Sequence, residues 1–436
     1  MRRLGGLVLA GFAAMAGTAR ADENPVAAIY TASEVEPLRA RYEKGWLGNY
    51  ERVFVPSFTA EERQRLGRVR FEFAMIDPPN EPFAFHSIGD RVFASAQSLK
   101  FLDDLSTATA WLSLNGYTNQ TVTDYALMLR YWRRSHRGEA PPKPLEALCI
   151  PADALSNPRV EERANRIFDD AVIFILLHEL GHVRWGHPGN AAVAPERSRA
   201  NEEAADAFAL DVLSRANVAP LGLAMVFMVM ANLWENRADY PSEAEYQRAA
   251  NARTHPLSPA RIQSLATHIA AAGRGFNGES RITAMGVSLE ISQVALLLAD
   301  PGLQGIEARI GRTVEADDLA PRHRGQQLAR SCRAAAPAGL PFDGVFHGKL
   351  HAGKTDFDAD AVLTQAGDRV VGSYSFGAGF ARVTGSVQGP RLGYEWSLPP
   401  DKGRGAATLR GDSVEGTWGM GTADSGVGTM SFDRVR

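Results

Sequence analysis

The segment AVIFILLHELGHVRWGH, at 171–187, ends a run of apolar residues with a histidine, a glutamate and a second histidine. If this segment is helical, His178 and His182 lie one turn apart, and both imidazoles on that face can bind one cation. Glu179 is turned about 100° around the helix, so its carboxylate can reach a water held at the cation without becoming a ligand. The competing interpretation is that both histidines are ordinary core residues of an apolar helix.

A second polar cluster begins twenty residues after His182, within the amphipathic pattern RSRANEEAADAFALDVL. Glu202 and Asp206 share one face of that predicted helix. A carboxylate from a neighbouring helix would complete a His-His-Glu set and leave a fourth position for water, which is typical of catalytic zinc sites. Asp206 is placed to accept the remaining N–H of a ligand histidine and so fix its tautomer. Alternatively, Glu202, Glu203 and Asp206 form a solvated helix face.

At these motifs the chain resembles the gluzincin metallopeptidases, and most closely the group that includes the CAAX prenyl proteases and the HtpX-like membrane proteases. Their E-x-x-A-D signature corresponds to Glu202 through Asp206, which implies that Glu202 is the third ligand and leaves Glu203 as an alternative. The segment THPLSPARIQSL is similar to the family's T-H-P segment, which implies that His255 approaches the site and stabilises a developing oxyanion. The resemblance implies one Zn²⁺ per chain and hydrolysis of a peptide or protein substrate through a metal-activated water, with Glu179 and His255 as catalytic residues.

The segment EPFAFHSIGDRVFASAQSLKFL is similar to the family's strand that leads into N-A-F-A. This implies that an extended substrate binds along Phe83, Ala84 and Phe85. The resemblance covers roughly 70–300. A metzincin site is disfavoured, because its third histidine would stand at Pro188, and His187 is expected at the surface or beside a ligand.

The elements that must position these residues are mainly helical. Apolar faces at helical spacing predict helices at 166–186, 200–216, 220–236, 259–273 and 288–300, and alternation between about 68 and 102 predicts a few strands. From Phe342 onward, short alternating runs between glycine turns predict about eight strands of a β-meander that closes into a small barrel. The predicted fold class is therefore α+β: a mainly helical, zincin-type metallopeptidase domain at 22–335, with its metal-site helices in 166–216 and an insertion at about 103–160, followed by a β-domain at 340–436.

The N-terminal segment and the composition of the chain predict where the protein is located and which partners it binds. Residues 1–21 combine Arg2 and Arg3, an apolar stretch and Ala19-Arg20-Ala21, the pattern of a signal peptide cleaved after Ala21, so we expect a periplasmic or secreted protein. No further segment is expected to reach the 18 to 20 apolar residues or so that span a bilayer. With 47 basic and 50 acidic residues and no basic stripe, nucleic acid is not an expected partner. Cys149 and Cys332 form either one disulfide or two free thiols.

Three functions are consistent with the sequence. The first is a zinc-dependent endopeptidase. The second is a catalytically silent periplasmic chaperone or scaffold in which the metal is structural. The third is a protein that binds a ligand through the C-terminal β-domain, which contains no cluster of catalytic residue types.

Overall fold

The computed structural model describes residues 24, 26–77, 83, 85–117, 119–136, 138–188, 193–251, 253, 255–276, 278–315, 319, 341–376 and 379–435. The predicted signal peptide, Ala84, Cys332 and the predicted domain boundary near 335–340 lie outside the described residues. Cys149 is disulfide-bonded.

The described part of the chain before residue 320 is mainly helical. Its α-helices are α1 (Ala32–Asn49), α2 (Val55–Ser57), α3 (Ala60–Leu66), α4 (Ala96–Leu114), α5 (Gln120–Ser135), α6 (Pro144–Ala147), α7 (Pro158–Trp185), α8 (Pro195–Arg215), α9 (Leu223–Leu233), α10 (Glu243–Asn251), α11 (Pro259–Gly273), α12 (Gly278–Ala299) and α13 (Pro301–Gly311). A π-helical turn joins α1 to α2, and short 3-10 turns occupy Val26–Ala28, Ala154–Ser156 and Arg237–Asp239.

A small sheet accompanies the helices, with strands β1 (Arg70–Ala74), β2 (His86–Ile88) and β3 (Arg91–Ser95). The strand order is β1-β3-β2, with β1 parallel and β2 antiparallel to β3. β2 is therefore an edge strand, and it contacts α7. In the described part of the chain, the second edge of β2 has no strand partner.

Helix α7 has clear start and stop signals. The Asn157 side chain accepts the Arg159 amide N–H, Pro158 occupies the first helical position, and Gly186 ends the helix in the left-handed region with φ 63°. The face that carries the histidines is buried against α4, α8 and α9, and within the apolar run 171–183 the other faces of the helix are buried as well, with only Ile175 partly exposed.

The C-terminal part is a closed eight-stranded barrel in which sequential strands pair antiparallel and the last strand closes on the first. Its strands are β4 (Gly344–Ala352), β5 (Thr355–Ala366), β6 (Arg369–Phe376), β7 (Gly379–Gln388), β8 (Arg391–Leu398), β9 (Asp401–Arg410), β10 (Ser413–Met420) and β11 (Gly428–Arg434). Aromatic and aliphatic side chains fill the interior and leave a cavity of about 30 Å³. The predicted α+β class, with a helical part, a small sheet and a terminal barrel, is confirmed.

One expectation about apolar segments needs correction. The stretch Ser280–Ala299 of α12 is, by length and composition, apolar enough to cross a membrane. In the structure α12 packs on α11 and α9 and buries Ala284, Val287, Ile291, Val294 and Ala295, while Ile282 and Leu289 are exposed.

Candidate metal centre

Four side chains from three separate segments converge at the centre of the helical part. His178 and His182 come from α7, Glu202 from α8 and His255 from the connection between α10 and α11. One donor atom from each lies within 4.8 Å of all the others, so this cluster could hold a metal ion. His178, His182 and Glu202 are buried, and Glu202 is wholly inaccessible.

The distances between donor atoms suit one small cation. His178 Nε2 lies 3.1 Å from His182 Nε2, and the two nitrogens lie 3.4 Å from Glu202 Oε2 and Oε1 respectively. A tetrahedral zinc ion with bonds of about 2.1 Å separates its ligand atoms by about 3.4 Å. The two histidines and Glu202 thus fit such an ion without a large rearrangement.

The close approach of α8 to α7 depends on Gly181. A Cβ atom built on Gly181 would lie 2.8 Å from the Ala205 Cα and 3.1 Å from its carbonyl oxygen. Such contacts are shorter than packed atoms tolerate, so glycine lets the two helix backbones meet directly. Ala205 stands between Glu202 and Asp206, and this contact therefore brings both carboxylates to the histidine face.

A polar neighbour faces the second nitrogen of each α7 histidine. Asp206 Oδ1 lies 2.8 Å from His178 Nδ1, as expected of a carboxylate that holds the Nδ1–H tautomer and leaves Nε2 for the metal. His187 Nδ1 lies 3.0 Å from His182 Nδ1. A proton assigned to His182 Nδ1 would be donated to His187 and would likewise leave Nε2 free. His187 therefore lies beside a ligand candidate, one of the two locations expected for it.

Sequence reasoning gave no role to Arg261, which is 3% exposed in the first turn of α11. Its Nε and Nη2 donate to the two oxygens of Asp206 at 2.7 and 2.9 Å, and its Nη1 lies 2.8 Å from Glu202 Oε2. The same Nη1 donates to the Pro256 carbonyl at 3.2 Å and so ties down the His255 segment. The arginine in the T-H-P segment was the available signal, but its partners lie about 55 residues away in sequence.

Glu179 and His255 form the remaining wall of the centre. Glu179 is 1% exposed, and its Oε1 lies 3.4 Å from His255 Nε2. Its Oε2 is buried and has no hydrogen-bond partner among the described residues. A buried, unpartnered carboxylate oxygen beside a candidate metal centre is placed to accept a proton from a water or substrate group. His255 Nδ1 lies 3.1 Å from Glu202 Oε2.

Burial and charge shift the titration of this cluster strongly. Burial lowers the pKa of His178, but hydrogen bonds to Asp206 and Glu202 outweigh it and raise the pKa to about 10. Burial lowers the pKa of His182 to about 2, and the neighbouring His178 adds to that effect. Burial raises the pKa of Glu202, but His255 and Arg261 hold it well below its ordinary value.

A divalent cation would balance the charge of the centre when the histidines are neutral, as metal ligands must be. In that state the carboxylates of Glu179, Glu202 and Asp206 carry three negative charges and Arg261 carries one positive charge, so a charge of minus two remains. Without a metal, a proton on His178 supplies part of the missing positive charge. Because uncompensated buried charge is costly, this donor set fits a divalent metal ion.

The two phenylalanines of the predicted substrate segment, Phe83 and Phe85, precede strand β2 and are not part of it. Phe83 has φ 60° and is buried, with its ring 5.6 Å from that of Phe101, and Phe85 is also buried. The strand begins only at His86, because a residue in the left-handed region does not continue a strand. Contact between Phe83 or Phe85 and a substrate would have to use their backbone, and their binding role stays a prediction. Glu203 is exposed and faces away from the donors, whereas Glu202 faces them.

A cavity of about 410 Å³ adjoins the centre on the side of His182. Its three walls are the end of α3, the strand β2 with its turn, and the end of α7. The residues that line it are Arg65, Arg68, Ser87, Gly89, Asp90, His182, Val183, Gly186 and His187.

The region that builds this centre is similar to a known peptidase family. Residues 118–277 match the model of a family described as Peptidase U49, and this range includes all four donors, Glu179, Asp206 and Arg261. The match covers somewhat more than a third of the 436 residues. Searches of curated proteins and of solved structures found no similar chain.

Proposed function

We propose that this protein is an exported zinc-dependent endopeptidase of the gluzincin type. The observation that carries the proposal is the buried donor set of His178, His182 and Glu202, spaced as a tetrahedral zinc ion requires, with Glu179 beside it. The similarity to a peptidase family over the same residues supports the peptide substrate. Export rests on the signal-peptide pattern of residues 1–21.

The chemistry divides between the ion and the chain. A zinc ion held by His178, His182 and Glu202 would polarise the scissile carbonyl and lower the pKa of water toward neutrality. Glu179 accepts one proton from the water as its oxygen attacks the carbonyl carbon, and later delivers that proton to the nitrogen as the C–N bond breaks. Asp206 and His187 hold the ligand histidines in the required tautomers. His255 donates a hydrogen bond to the carbonyl oxygen as it becomes negative.

Replacing Glu179 by glutamine tests this proposal, because it keeps the shape of the side chain and removes the base. We expect the zinc content to stay at one ion per chain, while the turnover number on an unfolded protein substrate falls by about 10²- to 10⁴-fold. Glu203→Gln, an exposed neighbour of the ligand, is the matched control and should retain activity. Cleavage that persists unchanged in Glu179→Gln would exclude Glu179 as the base.

One observation favours a second candidate, the scaffold with a structural metal. His255 brings a fourth protein donor into the cluster, and four protein ligands are typical of closed structural zinc sites. Under that alternative the purified protein contains zinc but cleaves no substrate, and Glu179→Gln changes neither property. The ligand-binding alternative has weaker support, because the described barrel interior leaves room for about one water molecule.

A further inference from the structure

The cavity beside His182 carries a charge pattern that the metal centre does not use. Arg65 lies in the last turn of α3 and Arg68 follows it, and both side chains line the cavity. No described carboxylate lies within ion-pair distance of Arg65 or Arg68. The acidic residues nearby have other partners: Glu61 pairs with Arg184 at 2.6 Å and Glu62 with Arg215 at 2.8 Å.

The remaining acidic group of the cavity has a different arginine as its ion-pair partner. Asp90, in the turn after β2, lies 3.5 Å from Arg70, and its backbone carbonyl accepts the Arg70 amide N–H. Arg70 does not line the cavity. Two arginines without an ion-pair partner among the described residues therefore line, together with Asp90, a space of about 410 Å³ that one or two side chains could fill.

The location of the cavity connects it to the proposed reaction. Its α7 wall includes His182, whose Nε2 faces the other donor atoms, and its second wall includes Ser87 of the edge strand β2. A chain extended along β2 advances about 3.3 Å per residue and alternates its side chains between two faces. A residue adjacent or next but one to the scissile bond would thus be within reach of the cavity.

We propose that Arg65 and Arg68 form a carboxylate-binding subsite that selects a negatively charged group of the substrate close to the scissile bond. This inference rests on the proposed peptidase function for its place in the reaction. Guanidinium groups bind carboxylates through paired, charge-assisted hydrogen bonds, which suits them to this selection. The carboxylate can come from an aspartate or glutamate side chain or from the substrate's C-terminus, and the C-terminal case would make the enzyme act near chain ends.

The test uses ten-residue peptides of neutral sequence with an amidated C-terminus, in which one glutamate, glutamine or lysine is moved through each position. A free-acid form of the glutamine parent distinguishes the C-terminal source. We expect wild-type kcat/KM to favour glutamate over glutamine by about tenfold at one position, or the free acid over the amide, since one charged hydrogen bond is worth about that factor. In the double variant Arg65→Gln/Arg68→Gln this ratio should fall to about one, with kcat/KM on the neutral peptide unchanged.

The control is a second pair of exposed arginines that do not line the cavity, Arg391→Gln/Arg410→Gln in the barrel, which makes the same change in net charge. It should keep the preference. A wild-type enzyme that cleaves without any preference for a carboxylate, or a preference that survives in Arg65→Gln/Arg68→Gln, would overturn the subsite.

A binding measurement separates this inference from the proposed function. Fluorescence anisotropy of the labelled peptides is recorded with zinc-loaded Glu179→Gln, with and without the two arginine substitutions. If the wild type contains zinc and cleaves nothing, the peptidase proposal fails. The subsite then stands if the carboxylate peptide binds about tenfold more tightly and loses this advantage in the arginine variant, and it fails if the two peptides bind equally.

Discussion

Replacing Arg261 by glutamine removes the cation that links two buried carboxylates of the metal centre. Three donor atoms of its guanidinium lie 2.7 to 2.9 Å from oxygens of Asp206 and Glu202, and all three side chains are at most 5% exposed. Loss of one partner from a buried ion pair costs about 3 to 5 kcal/mol, because the remaining charge stays buried without compensation. We therefore expect metal-free Arg261→Gln to lose about that much free energy of unfolding.

Zinc should reduce this loss, which gives the prediction a second readout. A divalent ion bound by Glu202 and His178 supplies positive charge to the same carboxylates, so the difference between variant and wild type should narrow when zinc is present. Urea unfolding followed by circular dichroism, once with a chelator and once with zinc, measures both effects. With a slope of about 3 kcal/mol per molar urea, the metal-free midpoint should fall by about 1 to 2 M.

Two variants separate the effect of burial and the effect of the paired geometry from the loss of one positive charge. Arg199→Gln breaks an exposed pair with Glu196 on α8 and should cost less than about 1 kcal/mol. Arg261→Lys keeps the charge but loses the paired geometry, so its midpoint should lie between those of the wild type and Arg261→Gln. A metal-free Arg261→Gln that unfolds at the wild-type urea concentration, or a difference that zinc leaves unchanged, would refute this account of the centre.

Two further predictions concern single residues. His255→Gln should retain zinc and lower the turnover number by about 10²- to 10³-fold if His255 stabilises the oxyanion, as measured by metal analysis and steady-state kinetics; loss of zinc would instead make it a ligand. Asp170→Asn should make the protein more stable at pH 8 but not at pH 4 in urea titrations with a chelator. Burial raises the pKa of Asp170 to about 7 in the folded protein, whereas its pKa in the unfolded chain is about 4. The free energy of unfolding therefore falls as the pH rises from about 4 through 7, by at most about 4 kcal/mol. Equal stability of Asp170→Asn and the wild type at pH 8 would contradict this reasoning.

Local spacing along the chain predicted the parts of the centre that one helix can encode. His178 and His182 share a face because four residues make about one turn, and Glu202 and Asp206 do so for the same reason. The barrel was predictable because alternation and glycine turns recur with each strand. These patterns involve residues that are close together in the sequence, so one sequence is enough to recognise them.

Contacts between distant segments were not predictable in the same way. The placement of His255 came only from the family resemblance, and nothing in its neighbourhood indicates Glu202 as a partner. The role of Gly181 depends on Ala205, a backbone contact between two helices that neither helix pattern reveals. Phe83 fits an alternating strand pattern, yet its backbone enters the left-handed region and its ring fills the core, so the strand starts three residues later.

A buried ion-pair cluster joins the barrel to the helices, and it limits which experiments can test a binding role of the barrel. Arg382 of β7 is buried between Asp124 of α5, at 2.5 Å, and Glu307 of α13, at 3.3 Å. Burial raises the pKa of Glu307, and Arg382 opposes that shift. Deleting the barrel would remove this buried cation from both carboxylates, at a cost comparable to that of other broken buried pairs.

The disturbance would reach the metal centre through contacts between helices. α13 contacts α5, α5 contacts α9, and α9 packs against α7, which carries His178 and His182. Loss of peptidase activity after truncation would therefore not show that the barrel binds the substrate. Substitutions of exposed barrel residues in the full-length chain leave Arg382 in place, so they test a recognition role of the barrel without weakening the helices beneath the metal centre.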